Sequence, residues 1–270
     1  MTTLPVDCLT ETVPREVATG DLVSPVDMAS VNRSGGNGAG VRLTFASYNI
    51  RKAVGLDRKR DPERICAVLN ELSADVVAVQ EIDRRFGSRE AALPRQLLEE
   101  HKWHVVPAGG RPASLGWHGN AILVRQGIDI LAAEQVLLPT LEPRGAVRAT
   151  LRRDDQTFDV LGMHLDLSGL LRRRQIAAVC QALGRGGSAA VLLGDLNEWS
   201  QRKGSLRGFS PDWSVLVPGR SFPSRRPLAA LDRIVHSPHW RCDHVEVHRS
   251  ALAAVASDHL PVKAVLELGA

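Results

Sequence analysis

Aromatic residues are scarce in this 270-residue chain: five Trp, five Phe and a single Tyr make up 4% of it. That scarcity argues against a platform on which the bases of a single strand stack. Long apolar runs are missing as well, and no stretch approaches the ~20 residues that a membrane-spanning helix needs. Lysine is nearly absent, with Lys52, Lys59, Lys102, Lys203 and Lys263 leaving 29 of the 34 basic residues to arginine. An arginine bias of this kind arises from GC-rich coding as easily as from phosphate binding. The net charge of +4 is therefore a weak guide to partners, and no guide to the fold. The four cysteines are far apart and form no C-x-x-C pair. Cys66 and Cys180 fall inside helical patterns, where a buried reduced thiol is the default. The N-terminus lacks a basic stretch followed by an apolar one, so no signal peptide is expected and a reducing cytoplasm is the expected compartment.

What is present can build a core. The chain is 44% hydrophobic and 24% charged, enough for one large α/β domain or two small ones. Residues 1–40 stand apart: five acids against Arg15 and Arg33 give a net −3, no period is sustained, and the segment closes with NRSGGNGAG. They are expected to be a disordered tail or flexible linker. Residues 41–270 carry a net +7 and are expected to form a single domain.

From Val41 the pattern becomes regular. VRLTFASYNI reads as a strand, and Asp61-Pro62 opens a helix with Ile65, Val68, Leu69 and Leu72 on one face. ADVVAVQ and AAVLLGD are short, continuous and β-branched or aliphatic, the pattern of strands buried on both faces. GNAILVR and a stretch near 128–138 read as further strands. GAVRATL and TFDVLGMHL flank RDDQ as a hairpin. Helices are expected around 90–100 and along Ile176, Val179, Cys180 and Leu183, the second ending at Gly184. LDRIVHS, DHVEVHR and PVKAVLEL complete the strands. Strands outnumber helices and do not alternate with them strictly. The expected architecture is α/β, two packed mixed sheets flanked by helices.

Polar residues stand where the buried strands stop. Asn49 and Glu81 end the first two, His164 ends TFDVLGM, Asp195 and Asn197 end AAVLLG, Asp232 opens LDRIV, and Asp258 and His259 precede the last strand. A single Asp or Asn at a strand end is most often a turn residue. The ordered set is what points to chemistry, because rigid elements hold reacting groups in place. The carboxylates and amides offer only hard oxygen ligands, which suit Mg²⁺ or Mn²⁺ better than zinc. Asp195 and Asn197, two apart, project to one side of an extended strand end, where one can deprotonate a water and the other orient it. His164 and His259 can donate hydrogen bonds to phosphate oxygens, and an adjacent carboxylate would keep a histidine protonated for that role.

The segments SYNIR, VVAVQEID, HGNAILV, GMHLDLS, LLGDLNE, LDRIV and SDHLPV, in this order, resemble the endonuclease/exonuclease/phosphatase superfamily, over about residues 42–268. The resemblance implies a four-layer sandwich of deoxyribonuclease I type with the site at one edge of the two sheets. It implies that Glu81 is the principal metal ligand, with Asn49 beside the metal and Asp258 tuning it. Asp195 would activate the attacking water and Asn197 orient it or the phosphate. Asp232 would pair with His259, which contacts the scissile phosphate together with His164. The cofactor implied is Mg²⁺ or Mn²⁺. GMHLDLS, and QEIDRR in place of QE-x-K, resemble the deoxyribonuclease I, sphingomyelinase and phosphatase side more than the abasic-site nucleases.

The expected activity is therefore metal-dependent hydrolysis of a phosphoester, most readily a phosphodiester, by in-line attack of water. The substrate partner would be a nucleic acid, a phospholipid head group or a small phosphodiester, and no protein partner is identifiable. The alternative is a catalytically silent phosphate- or nucleic-acid-binding module on the same fold, although such relatives usually lose a ligand or the SDH histidine, and this chain keeps both. Arg172 and Arg173, followed by Arg174, and Arg225 with Arg226 are further candidates to grip the substrate phosphate. His236, His239, His244 and His248 have superficially zinc-like spacings, but on a loop entering a strand they do not converge. His118 in WHGNAILV is expected to be structural, with SLGWHG at the cleft rim.

Overall fold

The computed structural model describes residues 40–84, 90–110, 112–140, 144–184, 187–201 and 203–269. The expected N-terminal linker lies outside them, except for Gly40. The first strand, β1 (Val41–Asn49), runs parallel to β2 (Val76–Gln80), with Phe45 beside Val76 and Asn49 beside Gln80. Parallel neighbours need a crossover, and helix α1 (Pro62–Glu71) supplies it. Its start is set as expected: Pro62 takes the first turn, and Asp61 Oδ1 accepts the Arg64 backbone N–H at 3.0 Å. Ile65, Cys66, Val68 and Leu69 are buried on its inner face.

Helix α2 is confined to Arg95–Glu100, shorter than the expected 90–100. Proline disfavours helical backbone in the residue before it, and Pro94 sets the boundary, while Ala91 bridges back to Asp83. Next come β3 (Trp103–Val105), β4 (Asn120–Arg125), β5 (Asp129–Leu137), β6 (Gly145–Arg153) and β7 (Gln156–His164). Helix α3 (Gly169–Leu183) crosses to β8 (Ala190–Asp195), followed by β9 (Ser214–Leu216), β10 (Asp232–His236), β11 (Trp240–Val247), helix α4 (Ala253–Ala256) and β12 (Val262–Leu268). Neither β3 nor β9 is expected from the sequence pattern. Three-residue strands are too short to display a period.

Two six-stranded mixed sheets result, with orders β11-β12-β1-β2-β4-β3 and β5-β6-β7-β8-β10-β9. Each has one parallel pair at its centre, β1 with β2 and β7 with β8. The core between the sheets gathers Phe45, Phe158 and Trp240, whose rings meet edge to face at 5.2–6.0 Å. A second core lies under α1, α2 and α4, and a third under α3. The order helices, sheet, sheet, helix is the deoxyribonuclease I-like sandwich. Among the described residues no helix is long and apolar enough to cross a membrane.

Candidate active site

Strand register brings the polar strand ends together. In the second sheet His164 pairs with Asp195 across β7 and β8, and Asp195 pairs with Asp232 across β8 and β10. The glycine of GDLN makes this approach possible: a Cβ on Gly194 would stand 1.9 Å from the Met163 carbonyl oxygen. Asn197 then turns the chain through φ +50°, a left-handed conformation that asparagine tolerates better than most residues. Its side chain donates to the Leu165 carbonyl at 2.9 Å, and its backbone N–H donates to Asp195 Oδ1 at 3.0 Å.

Asp195 is the hub. Its Oδ2 accepts Asn49 Nδ2 at 3.2 Å and lies 3.4 Å from His164 Nε2 and 3.6 Å from His259 Nε2. The Asn49 contact spans the two sheets. Asp232, fully buried, accepts His259 Nδ1 at 3.0 Å and the Ser221 hydroxyl at 2.5 Å, both on Oδ2. Burial works against a charge on His259, but Asp232 and Asp195 outweigh it and push the imidazole pKa up to about 10. His259 is thus an imidazolium at neutral pH, with one N–H on Asp232 and the other turned towards Asp195. Phe222 covers its ring at 4.8 Å.

The first sheet contributes a different corner. Asn49 and Glu81 leave adjacent strand ends, and Ser257 ties the last loop in by donating to the Asn49 carbonyl at 2.7 Å. Asp258 follows at once. Glu81 adopts φ +56°, and Arg51, Lys52 and Ala53 are also left-handed. Such backbone costs roughly 1–2 kcal/mol per residue and tends to persist where function holds it. Here the Glu81 carbonyl accepts the Lys52 N–H at 3.1 Å. The Lys52 ammonium contacts Glu81 Oε2, and Arg51 Nε lies 3.5 Å from Asp258 Oδ2.

A profile of the Endonuclease/Exonuclease/phosphatase family matches residues 46–259, from β1 to the SDH histidine. The chain belongs to that family. No curated protein matches it in sequence. Among solved structures it is similar to an endonuclease/exonuclease/phosphatase protein from Bacteroides vulgatus (TM-score 0.67, 16% identity, covering 85% of this chain and 100% of that one). It is similar to D. rerio TDP2 complexed with a single-strand DNA product (TM-score 0.64, 17% identity, 83% and 98%). It is also similar to a mannosyl-6-phosphatase from Bacteroides thetaiotaomicron (TM-score 0.62, 22% identity, 83% and 99%).

The endonuclease/exonuclease/phosphatase chain has two carboxylate groups that bear on a cation. Asp195, Asp232 and His259 place ligand atoms within 4.8 Å of one another, a buried acid–imidazole group in which His259 Nδ1 lies 3.0 Å from Asp232 Oδ2. Glu81 and Asp258 are partly exposed hard donors that each draw a cationic side chain, and the Asn49 amide oxygen, buried at the end of β1, accepts the Arg51 backbone N–H at 3.1 Å. That donor set fits Mg²⁺ or Mn²⁺. The other histidines do not converge: His236 meets the Ser237 carbonyl, His244 meets Glu246, and His248 meets Glu71.

The arginines divide. Arg172 is buried, donating to the Asp166 and Leu167 carbonyls and to Glu198 Oε2 at 3.3 Å. The expectation that it meets substrate is corrected to a scaffold role, because its guanidinium is spent inside the protein. Arg173 and Arg174 are exposed at the start of α3, and Arg225 and Arg226 are exposed on the loop that carries Phe222. His118 meets Trp117 edge to face at 4.3 Å, in a loop whose Gly119 carbonyl accepts the Ile82 N–H next to Glu81. Sequence reasoning passed over Lys52, Ser221 and Arg144, whose guanidinium lies 2.6 Å from His164 Nε2. Arg144 carries no sequence signal, being one arginine of many. Lys52 does, as one of five lysines and three residues beyond Asn49.

Proposed function

We propose that this phosphoesterase-type hydrolase cleaves a phosphodiester by direct in-line attack of water, with Mg²⁺ or Mn²⁺ as cofactor. The reading is carried by Asp195, a buried carboxylate facing two imidazoles and a side-chain amide on one sheet edge. Asp195 accepts the proton of the attacking water as its oxygen bonds to phosphorus and the ester P–O bond breaks. Asn197 orients the water or the phosphate. His259, held charged by Asp232, donates through Nε2 to the phosphate oxygens, where negative charge accumulates. His164 faces the same point from the neighbouring strand. Glu81, Asp258 and Asn49 would hold a divalent cation, which would supply neutralisation of charge at the phosphate and the leaving oxygen.

The similar structures include a protein complexed with DNA product and a sugar phosphatase, so likeness of fold supports phosphoester chemistry without selecting one ester. The test is hydrolysis of bis-p-nitrophenyl phosphate, p-nitrophenyl phosphate, plasmid and phospholipid by purified protein with Mn²⁺ or Mg²⁺. Hydrolysis of the diester is expected, with kcat falling roughly 10³-fold in Asp195→Asn. Full activity in that variant, or activity indifferent to chelation of metal, would remove the reading.

A further inference from the structure

The loops that leave the site edge have an uneven surface. Three segments frame the site: 165–174 runs on from His164, 198–208 from Asn197, and 220–231 leads into Asp232. Strands β7 and β8 end and β10 begins at the same edge, so the three segments emerge side by side. They present Leu167, Leu170, Trp199 and Leu228 to solvent at 67%, 59%, 67% and 62% exposure. These are four of the seven large apolar side chains exposed among the described residues. Apolar groups gathered on segments that leave one sheet edge beside a polar site mark an interaction surface.

The charges on the same segments are equally one-sided. Arg173, Arg174, Lys203, Arg207, Arg225 and Arg226 are exposed, whereas the segments' acids, Asp166 and Glu198, are buried. Arg173, Lys203 and Arg207 together line an open hollow of about 390 Å³. Hydrogen bonds tie the segments to one another. Arg172 donates to the Leu167 carbonyl at 2.6 Å and to Glu198 at 3.3 Å, locking the loop of Leu167 to the loop of Trp199. Glu198 also accepts the Ser205 backbone N–H and hydroxyl. Across the site, the Leu228 N–H donates to the carbonyl of Phe222, the residue covering His259.

We propose that this rim docks on an anionic lipid bilayer. The four apolar side chains enter the interfacial layer, and the surrounding arginines and lysine meet head-group phosphates. The substrate of the site is then a phosphoester head group carried by an amphiphile in that surface, a clause that rests on the hydrolase reading above. A nucleic acid would satisfy the cations but leave three leucines in water with nothing to stack on or bond to. A bilayer satisfies both.

Flotation of the full chain tests this, with vesicles of phosphatidylcholine alone or mixed with an equal part of phosphatidylglycerol, beside hydrolysis of soluble bis-p-nitrophenyl phosphate. Binding to the mixed vesicles is expected, roughly tenfold weaker on phosphatidylcholine alone and weakened by salt. Combining Leu167→Ser, Leu170→Ser, Trp199→Ala and Leu228→Ser should lower vesicle binding roughly tenfold or more and leave soluble-ester hydrolysis unchanged. Trp199→Phe alone, a conservative exposed change, should remove the blue shift of tryptophan emission that the mixed vesicles induce. No flotation on either vesicle, binding that the apolar substitutions leave intact, or a preference for duplex DNA over mixed vesicles would each overturn the docking. Bound vesicles with hydrolysis of neither the soluble ester nor the vesicle phospholipid by the unaltered chain would sink the hydrolase reading and leave the docking standing.

Discussion

The two sheets meet at one edge but bring opposite kinds of chemistry to it. The second sheet delivers Asp195, Asp232 and His164 to a closed network that His259 completes from the loop before β12, all four buried and each paired within the protein. The first delivers an open corner, where Glu81 and Asp258 are half-buried and the cations beside them come from a loop in left-handed backbone. A buried acid–imidazole pair is pre-organised, so it stabilises charge without rearranging. A half-open pair of carboxylates can exchange a lysine or arginine for a metal ion. Asn49, rooted in the first sheet and donating to Asp195 in the second, holds the two at fixed distance.

Breaking the closed network should have the largest effect. His259→Ala and Asp232→Ala are each expected to lower kcat roughly 10²–10³-fold. The double variant should lose little more than either single one, since the two residues act as a unit. Steady-state kinetics on a soluble diester measure this, and additive losses would show that Asp232 does not work through His259. The open corner should respond in cation affinity. Glu81→Gln is expected to weaken Mn²⁺ binding by roughly 10–100-fold in titration calorimetry, whereas Lys52→Gln should tighten it several-fold by removing a competing ammonium. Weaker Mn²⁺ binding in Lys52→Gln would instead make the lysine a support of the site.

The smallest effect is on stability, and it separates the two regions by pH. An unfolded imidazole titrates near 6.5, while His259 in the native protein titrates near 10. Between those values the native state binds the extra proton, so the contribution is complete below 6.5 and is lost as pH rises towards 10. The melting temperature should therefore decline across that window, and the decline should flatten in His259→Gln. An unchanged slope would mean that the imidazole is not held charged.

The site was legible in the sequence where a polar residue ended a run of buried strand. Glu81 after VVAVQ, Asp195 after AVLLG and His164 after VLGM all stand at the edge that the hydrophobic pattern predicts, because that pattern dictates where a strand stops. The helix start at Asp61-Pro62 was legible for the same reason, its cap being local chemistry. What depends on tertiary approach was not. Arg172 was indistinguishable from Arg173 as one letter in RRR, although one is buried against Glu198 and the other faces solvent. Ser221 gave no hint of its bond to Asp232, because the partner lies 11 residues away across a loop. The edge strands β3 and β9 are short enough that pairing, not pattern, makes them strands.

One pairing also orders events in time. β12 lies between β1 and β11, with Val41 opposite Leu268, and Ser257 reaches Asn49 across 208 residues of chain. A polypeptide emerging from the ribosome can form the β6–β7 hairpin early. It cannot seat Asp258 and His259 against Asn49 and Asp195 until the strand that anchors them has been made. Contacts of such long sequence separation form slowly, and the placing of Asp258 and of His259 waits on the last strand of the chain. A chain clipped before β12 would lack the strand that holds both residues at the site edge.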